Sequence, residues 1–214
     1  TGLFDSSEQP QVIHVAATQY LILYVMIDAV RRFHEAYPRI RVRLSNRIEQ
    51  EIEEELLAGT DVELGVAAPY EPSPLLEYTH LFSMPWSVIA PPRHPLLKTS
   101  RLRLRDLADQ PLILSERGST GRQHVIDAFH GQRLSPRVEL EATNTEIIVR
   151  MVEGGLGVSI VPLLDSGAVT RGRRVGLRGL GQQIRPIHSG VLTRRGEPLS
   201  PAARTLMEFL KQER

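Results

Sequence analysis

The sequence predicts an α/β protein, because segments typical of strands and of helices alternate along most of the chain. Residues 141–162 provide the clearest unit: a polar helix start, an amphipathic helix, the helix-ending pair Gly154-Gly155 and a buried strand over 158–161. A second observation is that two strand–helix pairs and a third strand fit within about the first 70 residues. Such a succession is typical of a small parallel sheet with crossover helices.

The elements in the first part of the chain follow from apolar periodicity. They are strand 12–16, helix 21–37 ended by Pro38, strand 40–44, a helix carrying Ile48, Ile52 and Leu56 that ends at Gly59, and strand 62–67. Apolar residues of helix 21–37 recur at the spacing of one buried helix face. Strand 40–44 alternates with Arg41 and Arg43, which favours an edge strand. The five glutamates between positions 49 and 55 are interpreted as a solvated face.

A second series of elements begins near Leu81. Its members are strands 86–90, 111–114, 138–140, 158–161, 174–177 and 187–192, a helical turn at 102–107, a helix ending at Gly131, and a closing helix capped by Ser200 with Pro201 at its first position. Proline at the first helical position loses no hydrogen bond, which favours this start. Residues 115–121 are polar and contain two glycines, which predicts a loop.

The helix that begins near residue 144 carries a predicted capping box. Thr143 and Glu146 have the spacing at which a hydroxyl and a carboxylate bind the free backbone N–H groups of a first turn. The same turn, with Asn144 and Thr145, presents N–H groups and the positive helix end, an arrangement that can hold a small anion. Most capped helices bind no ligand, so a purely structural role for this turn stays open.

Composition argues against several classes of protein. The 214 residues carry 26 Lys and Arg against 25 Asp and Glu, a formal charge of +1, whereas a nucleic-acid-binding module is usually more basic. The lack of cysteine excludes disulfides and thiolate zinc sites. No apolar stretch reaches about 18 residues, so we expect no membrane-spanning helix. The N-terminus has neither a signal-peptide pattern nor an initiator methionine, which favours a fragment or a processed product.

Motifs of common catalytic and cofactor sites are also missing. None of the seven histidines is paired at metal-ligand spacing, so we predict no metal site. The glycines at 154–157 follow a helix, whereas a dinucleotide fingerprint precedes one. Loop 118–121 lacks the lysine of a P-loop, and Arg117 stands where a nucleophile elbow needs glycine. No spacing commits to a catalytic triad, although triads can assemble from distant residues. We therefore predict no cofactor and no enzymatic activity.

Several motifs together resemble the effector-binding domain of LysR-type transcriptional regulators. VAATQ followed by YVMIDAVRRFHEAYPRIRVRLS resembles the first strand, the long helix and the second strand of that family, and LLAGTDVELGV resembles its L-x-x-G-x-x-D segment. VIAPPRHPL, LADQPLIL and MVEGGLGVSIVP match three further signatures. The resemblance covers residues from about Val12 to Leu210. The winged helix-turn-helix that reads DNA in such regulators does not occur in this sequence.

The resemblance implies a type II periplasmic-binding-protein fold, in which two Rossmann-like subdomains are joined by two crossing strands. Subdomain I would hold residues 11–87 and 189–214, subdomain II would hold residues 88–188, and residues 1–10 would be a linker remnant. A small effector would bind in the cleft between the subdomains. The family pairs such domains head to tail. We therefore expect a homodimer, a tetramer at full length, DNA contact only through the missing N-terminal domain, no membrane contact and a cytoplasmic location.

The resemblance places effector contacts at strand ends and helix starts, where open α/β sheets bind ligands. The candidate contacts are Thr18, Gln19, Ser115, Arg117, Ser119, Thr120, Asn144 and Thr145, with Ser45 and Ala68 as weaker candidates. Thr18 and Gln19 could instead be a helix cap and a polar loop residue, but the position that the family gives to an effector contact favours a ligand contact. Arg117 could be a counter-ion for an anion or a solvated surface arginine. The hydroxyl and amide groups favour a small carboxylate or an inorganic oxyanion as the effector.

Three hypotheses on function follow. The first is the ligand-sensing domain of a bacterial LysR-type transcription factor, in which the effector alters the dimer or tetramer arrangement. The second is the solute-binding protein of a transporter, which has the same fold. The third is an enzyme on this fold, which no acid–base pair in the sequence supports.

Overall fold

The chain forms two compact α/β units, as seen in a computed structural model that describes residues 11–212. The elements in chain order are β1 (Val12–Ala17), α1 (Gln19–Leu21), α2 (Ile27–Ala36), β2 (Arg41–Asn46), α3 (Glu49–Leu57), β3 (Val62–Ala67), β4 (Leu76–Met84), β5 (Trp86–Ala90), α4 (Pro95–Lys98), α5 (Arg105–Ala108), β6 (Leu112–Ser115), α6 (Thr120–Gly131), β7 (Val138–Ala142), α7 (Thr145–Glu153), β8 (Val158–Pro162), β9 (Gly176–Gly179), β10 (Ile187–Arg194) and α8 (Pro201–Lys211). Unit 1 holds residues up to Phe82 and from His188 onward, and unit 2 holds Ser83–Ile187. The predicted α/β class is confirmed, and the linker remnant at 1–10 lies outside the described residues.

The sheet of unit 1 has the strand order β2-β1-β3-β10-β4. Strand β1 pairs in parallel with β2 and β3, so the carboxyl ends of these three strands meet at one edge. Strand β10 pairs antiparallel with β3. The prediction that 40–44 is an edge strand is confirmed, because β2 is outermost. Strand β4 is absent from the sequence prediction, since its residues are mostly half-exposed and lack regular apolar alternation.

The predicted long helix is confirmed, with one difference in its winding. Segments α1 and α2 are joined by a π-helical turn over Ile22–Met26, so the helix runs without a gap from Gln19 to Ala36. Its apolar face is buried, and Phe33 packs edge-to-face on Phe209 of α8 with ring centroids 5.5 Å apart. The helix stops where Tyr37 leaves helical geometry before Pro38.

The sheet of unit 2 repeats this arrangement, with the strand order β7-β6-β8-β5-β9. Strand β6 pairs in parallel with β7 and β8, so three carboxyl ends again meet at one edge. Strand β5 runs antiparallel to β8 and places Trp86 opposite Pro162 at that edge. Trp86 is buried, and its indole Nε1–H donates to the carbonyl oxygen of Arg185 at 2.9 Å.

The predicted β–α–β unit is present as β7, α7 and β8, but its predicted capping box is wrong. The N-cap is Asn144, whose Oδ1 accepts the N–H of Ile147 at 3.0 Å. Thr143 therefore lies before the cap, because the extended backbone continues through Asn144. The predicted glycine ending is confirmed. Gly155 has φ +80°, and the N–H of Leu156 donates to the carbonyl of Met151 at 3.1 Å, as in a Schellman motif.

Other differences from the predicted elements are small. The strand predicted at 174–177 lies at Gly176–Gly179, the helical turn predicted at 102–107 is α5 at Arg105–Ala108, and the short α4 is absent from the prediction. The predicted cap of α8 is confirmed, since Ser200 Oγ accepts the N–H of Ala203 at 3.1 Å. None of the helices within residues 11–212 combines the length and apolar character needed to cross a membrane.

Candidate functional site

At the carboxyl edge of the unit 1 sheet, a helix starts at a threonine whose hydroxyl group makes no hydrogen bond within residues 11–212. Thr18 follows β1, its N–H donates to the carbonyl of Val66 in β3 at 3.2 Å, and its own carbonyl accepts the N–H of Ile22 at 3.0 Å. The Thr18 side chain does not cap the helix, and it makes no hydrogen bond within residues 11–212. A ligand at this edge can therefore use the hydroxyl without breaking an internal bond.

Two other predicted contacts lie near Thr18. Gln19 is the first residue of α1 and is partly buried. Ala68 follows β3 directly and is 5% exposed. Because Val66, two residues before Ala68, accepts the N–H of Thr18, the chain after β3 lies beside the helix start. The structure thus brings Thr18, Gln19 and Ala68 to the same edge.

Ser45 is engaged elsewhere. It lies within β2, and its Oγ is 2.7 Å from Nε2 of His14 in β1, whereas Nδ1 of His14 is 3.0 Å from the carboxylate of Asp61. This order of atoms is that of a Ser-His-Asp triad, but Ser45 lies inside a strand and not on the sharp turn that exposes a nucleophile. The His14 ring holds the pKa of Asp61 below its usual value through a hydrogen bond. We interpret these contacts as structural, because they link the edge strand β2 to β1.

The carboxyl edge of unit 2 gathers two loops. Ser115 ends β6 opposite Ala142 of β7, and the N–H of Glu116 extends this pairing to the Ala142 carbonyl at 3.0 Å. Ser119 caps α6, since its Oγ accepts the N–H of Arg122 at 3.3 Å. Thr120 follows and is 5% exposed. Within residues 11–212, the hydroxyls of Ser115 and Thr120 make no hydrogen bond.

The second of these loops contains Asn144 and Thr145. The Asn144 side chain is occupied by its cap bond to Ile147 and donates from Nδ2 to the Thr143 hydroxyl at 3.4 Å. Thr145 begins α7 and is partly buried. Because β6 and β7 are parallel neighbours, both loops lie at one edge and present two helix starts there. The arrangement suits an anion that accepts hydrogen bonds.

The arginine best placed at this edge is Arg122, which is not among the contacts predicted from the sequence. Its side chain is 13% exposed, and its Nη1 donates to the carboxylate of Glu141 at 2.9 Å and to the carbonyl of Ser115 at 3.0 Å. The predicted Arg117 is 86% exposed and lies 3.7 Å from the same carboxylate. The signal that could have found Arg122 is its position just after the cap of α6, from which a long side chain reaches back over the loop.

A groove of about 440 Å³ runs beside α6 in unit 2. Its lining includes Arg117, Ser119, Arg122, Gln123, Ile126, His130, Pro136 and Val138. The groove follows α6 as far as the start of β7, which is the outermost strand of this sheet. It combines cationic groups with apolar side chains.

Glu49 departs from the predicted solvated face of α3. It is the first residue of α3, three positions after the last residue of β2, and it is partly buried. Burial raises the pKa of its carboxyl group to about 7. A group whose pKa is higher in the folded state binds more protons there, so its contribution to stability is lost as the pH rises towards 7.

We expect Glu49→Gln to stabilise the protein at pH 8 by about 1–2 kcal/mol relative to the wild type, after allowing for solvent screening. At pH 4 the two proteins should be equally stable, because Glu49 is then protonated in both states. Urea denaturation at both pH values measures the difference. Glu54→Gln, at an exposed position on the same helix, is the control. A Glu49 effect that is the same at pH 4 and pH 8 would contradict the assignment.

Comparison with known proteins identifies the family. The family described as LysR substrate binding domain matches residues 6–214. The transcriptional activator CmpR of Synechocystis sp. is 33% identical over 190 residues, which are 87% of this chain and 61% of CmpR. Among solved structures, the cofactor-binding domain of the Cbl transcriptional regulator is 25% identical, covers 98% of this chain and 92% of that chain, and has a TM-score of 0.86.

The regulatory domain of Synechocystis CcmR, solved in complex with 2-PG, is also 25% identical, with a TM-score of 0.83 and coverage of 94% of this chain and 96% of that chain. The chain spans about half the length of other curated relatives, such as 49% of Cbl from Escherichia coli. Within residues 11–212, no group of three or more histidine or acidic residues could hold a metal ion. The chain belongs to the LysR substrate-binding domain family, the effector-binding part of LysR-type transcriptional regulators.

Proposed function

We propose that this chain senses a small anionic effector for a transcriptional regulator that acts on DNA in the cytoplasm. The observation that carries the proposal is the uncommitted hydroxyl of Thr18 at a helix start, matched in unit 2 by the uncommitted hydroxyls of Ser115 and Thr120. The similarity to CcmR, whose regulatory domain was solved with 2-PG, supports a small-molecule effector. A carboxylate or an oxyanion would accept hydrogen bonds from these groups.

The candidate contacts then divide into two roles. Thr18, Ser115, Thr120 and Thr145 would donate to the effector, and Gln19, Ala68 and Arg117 would border it. The side chains of Ser119 and Asn144 are used to cap helices. Only their backbone groups would therefore contact the effector. Ser45 acts through His14 as a support of the sheet.

The effector would regulate by favouring one arrangement of the protein over another. It can shift that equilibrium only by as much as its affinity differs between the two arrangements. The regulator hypothesis is favoured over a transporter's solute-binding protein, because the curated relatives and the similar structures are transcriptional regulators. The same relatives give no support to an enzyme.

We further propose that two copies associate head to tail, with unit 1 of one copy against unit 2 of its twin. Unit 1 carries 11 Lys and Arg against 16 Asp and Glu, a formal charge of −5, and unit 2 carries 15 against 9, a formal charge of +6. The opposite net charges of the two units favour a pairing of unit 1 with unit 2 over a head-to-head one. A tetramer of the intact regulator would use further contacts outside this chain.

Exposed apolar side chains also support a head-to-tail contact between unit 1 of one copy and unit 2 of the other. Leu23 and Ile27 lie one helical turn apart on the long helix of unit 1 and are 39% and 50% exposed. The groove beside α6 in unit 2 offers Ile126, Pro136 and Val138 as apolar lining. The long helix of one copy and the α6 groove of the other therefore both offer apolar side chains for the contact.

The proposed function is tested by Thr18→Val, which keeps the side-chain shape and removes the hydroxyl. Sulfate, phosphate and a panel of small carboxylates that includes 2-PG are screened by thermal shift on the dialysed protein. A ligand at 100 times its dissociation constant stabilises a protein by about 2.7 kcal/mol. We expect Thr18→Val to raise the dissociation constant of a positive compound about 10-fold or more, because hydrogen bonds to charged groups contribute roughly 1.5–3 kcal/mol.

Thr205→Val is the matched control, because the Thr205 hydroxyl donates to the Pro201 carbonyl within α8. It should leave the affinity unchanged. Equal affinity of Thr18→Val and the wild type would refute the site assignment. A panel without any positive compound would refute the anionic effector class.

A further inference from the structure

Unit 2 carries an exposed row of cations that the effector site does not use. The row consists of Lys98, Arg101, Arg103 and Arg105 in the segment that joins α4 to α5. None of the four side chains forms an ion pair or a hydrogen bond within residues 11–212. Other arginines of the same unit are paired, for example Arg122 with Glu141 and Arg137 with Glu139. The row is therefore a local excess of positive charge.

The backbone of the segment fixes the direction of the row. Leu102 and Leu104 are 6% and 0% exposed, so they anchor the segment in the core, and the alternating arginines lie on the opposite, solvent side. Arg101, Arg103 and Arg105 are therefore all exposed on this segment. The leucines make the row part of the folded unit, in contrast to a basic tail.

Two side chains from β9 and the turn that follows it hold the backbone of the segment in place. Gln183 accepts the N–H of Leu104 at 3.1 Å and donates to the carbonyl of Leu102 at 2.9 Å. Arg178 of β9 donates to the carbonyls of Leu97 and Ser100 at 3.1 and 3.0 Å. These hydrogen bonds hold the chain on both sides of Arg101. Because the backbone of the segment is already ordered, binding costs conformational entropy only in the side chains of the row.

The nearest carboxylate, that of Asp106, offsets only part of the four positive charges of the row. Asp106 is the nearest in sequence, and its carboxylate accepts the backbone N–H of Arg103 at 2.7 Å, where it stabilises the start of α5. The chain as a whole has a charge of +1, which argues against a nucleic-acid-binding module, but unit 2 alone has a charge of +6. The small total charge of the chain therefore conceals a basic surface on unit 2.

We propose that the row of Lys98, Arg101, Arg103 and Arg105 binds the phosphate backbone of duplex DNA without sequence preference. The inference rests on the proposed function, because only a regulator that acts on DNA would present this surface to a duplex. Contacts between arginine and phosphate need no base readout and weaken steeply with salt. The row would add affinity and leave the sequence preference to the DNA-reading domain.

The test is fluorescence anisotropy of a labelled 24-base-pair duplex of mixed sequence, titrated with the 214-residue protein between about 20 and 200 mM KCl. Non-specific dissociation constants near 10⁻⁴–10⁻⁶ M are typical at physiological salt, so binding is measurable at about 20 mM. The triple variant Arg101→Gln/Arg103→Gln/Arg105→Gln should bind at least about 10-fold more weakly at the low salt concentration. Its slope of log affinity against log salt should fall by about 2–3, since each phosphate contact contributes about 0.9.

The control variant is Arg133→Gln/Arg171→Gln/Arg204→Gln, which removes the same charge from three exposed positions outside the row. It should keep the wild-type slope. An absence of binding at about 20 mM KCl, or equal losses in both variants, would overturn the inference. Tighter binding to phosphatidylserine vesicles than to the duplex would also overturn it, in favour of a membrane surface. Urea denaturation checks that both variants are folded.

The effector screen distinguishes this inference from the proposed function. The row variant should keep the wild-type response to a positive compound, because none of its residues lies among the candidate contacts. If the row variant alone loses DNA binding and still responds to the effector, both proposals are supported. Effector binding by a wild-type protein that does not bind the duplex would overturn the inference and leave the proposed function standing.

Discussion

Replacing Gly157 by alanine is expected to destabilise unit 2 by about 2–5 kcal/mol. Gly157 has φ +156°, and a Cβ atom there would lie 2.4 Å from the carbonyl oxygen of Pro111. That oxygen cannot move away freely, because it accepts the N–H of Val158 at 3.1 Å and so ties β6 to β8. Backbone strain and overpacking each cost roughly 1–3 kcal/mol. Urea denaturation followed by circular dichroism measures the loss.

Gly155→Ala is the matched control for this prediction. Gly155 also has a positive φ, +80°, but nothing lies within 4 Å of an added Cβ. Only the backbone strain applies there, which costs about 1–2 kcal/mol. If the two variants lose the same stability, the contact with the Pro111 carbonyl is not what requires glycine at position 157.

The replacement Ile27→Asp is expected to abolish the proposed homodimer, with a dissociation constant raised at least about 100-fold. Ile27 would be central to the contact between the long helix and the α6 groove, and truncation of such a central residue costs about 2 kcal/mol or more. An added carboxylate must also be desolvated in that contact. Analytical ultracentrifugation of both proteins over a range of concentrations measures the change.

Leu75→Asp is the control, because Leu75 is 65% exposed and lies outside the proposed surface. It should dimerise as the wild type does. The opposite charges of the two units add a second expectation, since raising the NaCl concentration from about 0.05 to 0.5 M should weaken a head-to-tail dimer. A dimer that persists in Ile27→Asp would place the interface elsewhere.

The elements that could be predicted from sequence are those with a continuous or periodic apolar pattern. Strands β1, β3 and β5 are fully buried over most of their length, and their predicted bounds agree with the structure to within one residue. Strand β4 could not be predicted in the same way, because its exposure follows no simple alternation. Here pairing with β10 determines the strand, and that partner lies more than 100 residues away in the chain.

The candidate site, too, could be predicted only in part from the sequence. The loops at strand ends could be predicted, because parallel neighbours bring their carboxyl ends to one edge. The sequence could not show which of these side chains already form hydrogen bonds within the protein. Thr143 and Asn144 are adjacent and both can cap a helix, so only the backbone geometry distinguishes them. Ser45 looks available in sequence, yet His14, which is 31 positions away, occupies its hydroxyl.

The position of β10 in the sheet of unit 1 has a consequence for the order of folding during synthesis. Strand β10 lies between β3 and β4, although about 100 residues of unit 2 are translated before it. Unit 2 is continuous in the chain and has all five of its strands once Gly179 has left the ribosome. Unit 1 must wait with an unpaired edge on β3 until residues 187–194 emerge. Exposed edges of this kind invite aggregation, so the nascent chain is most vulnerable while unit 2 is being made.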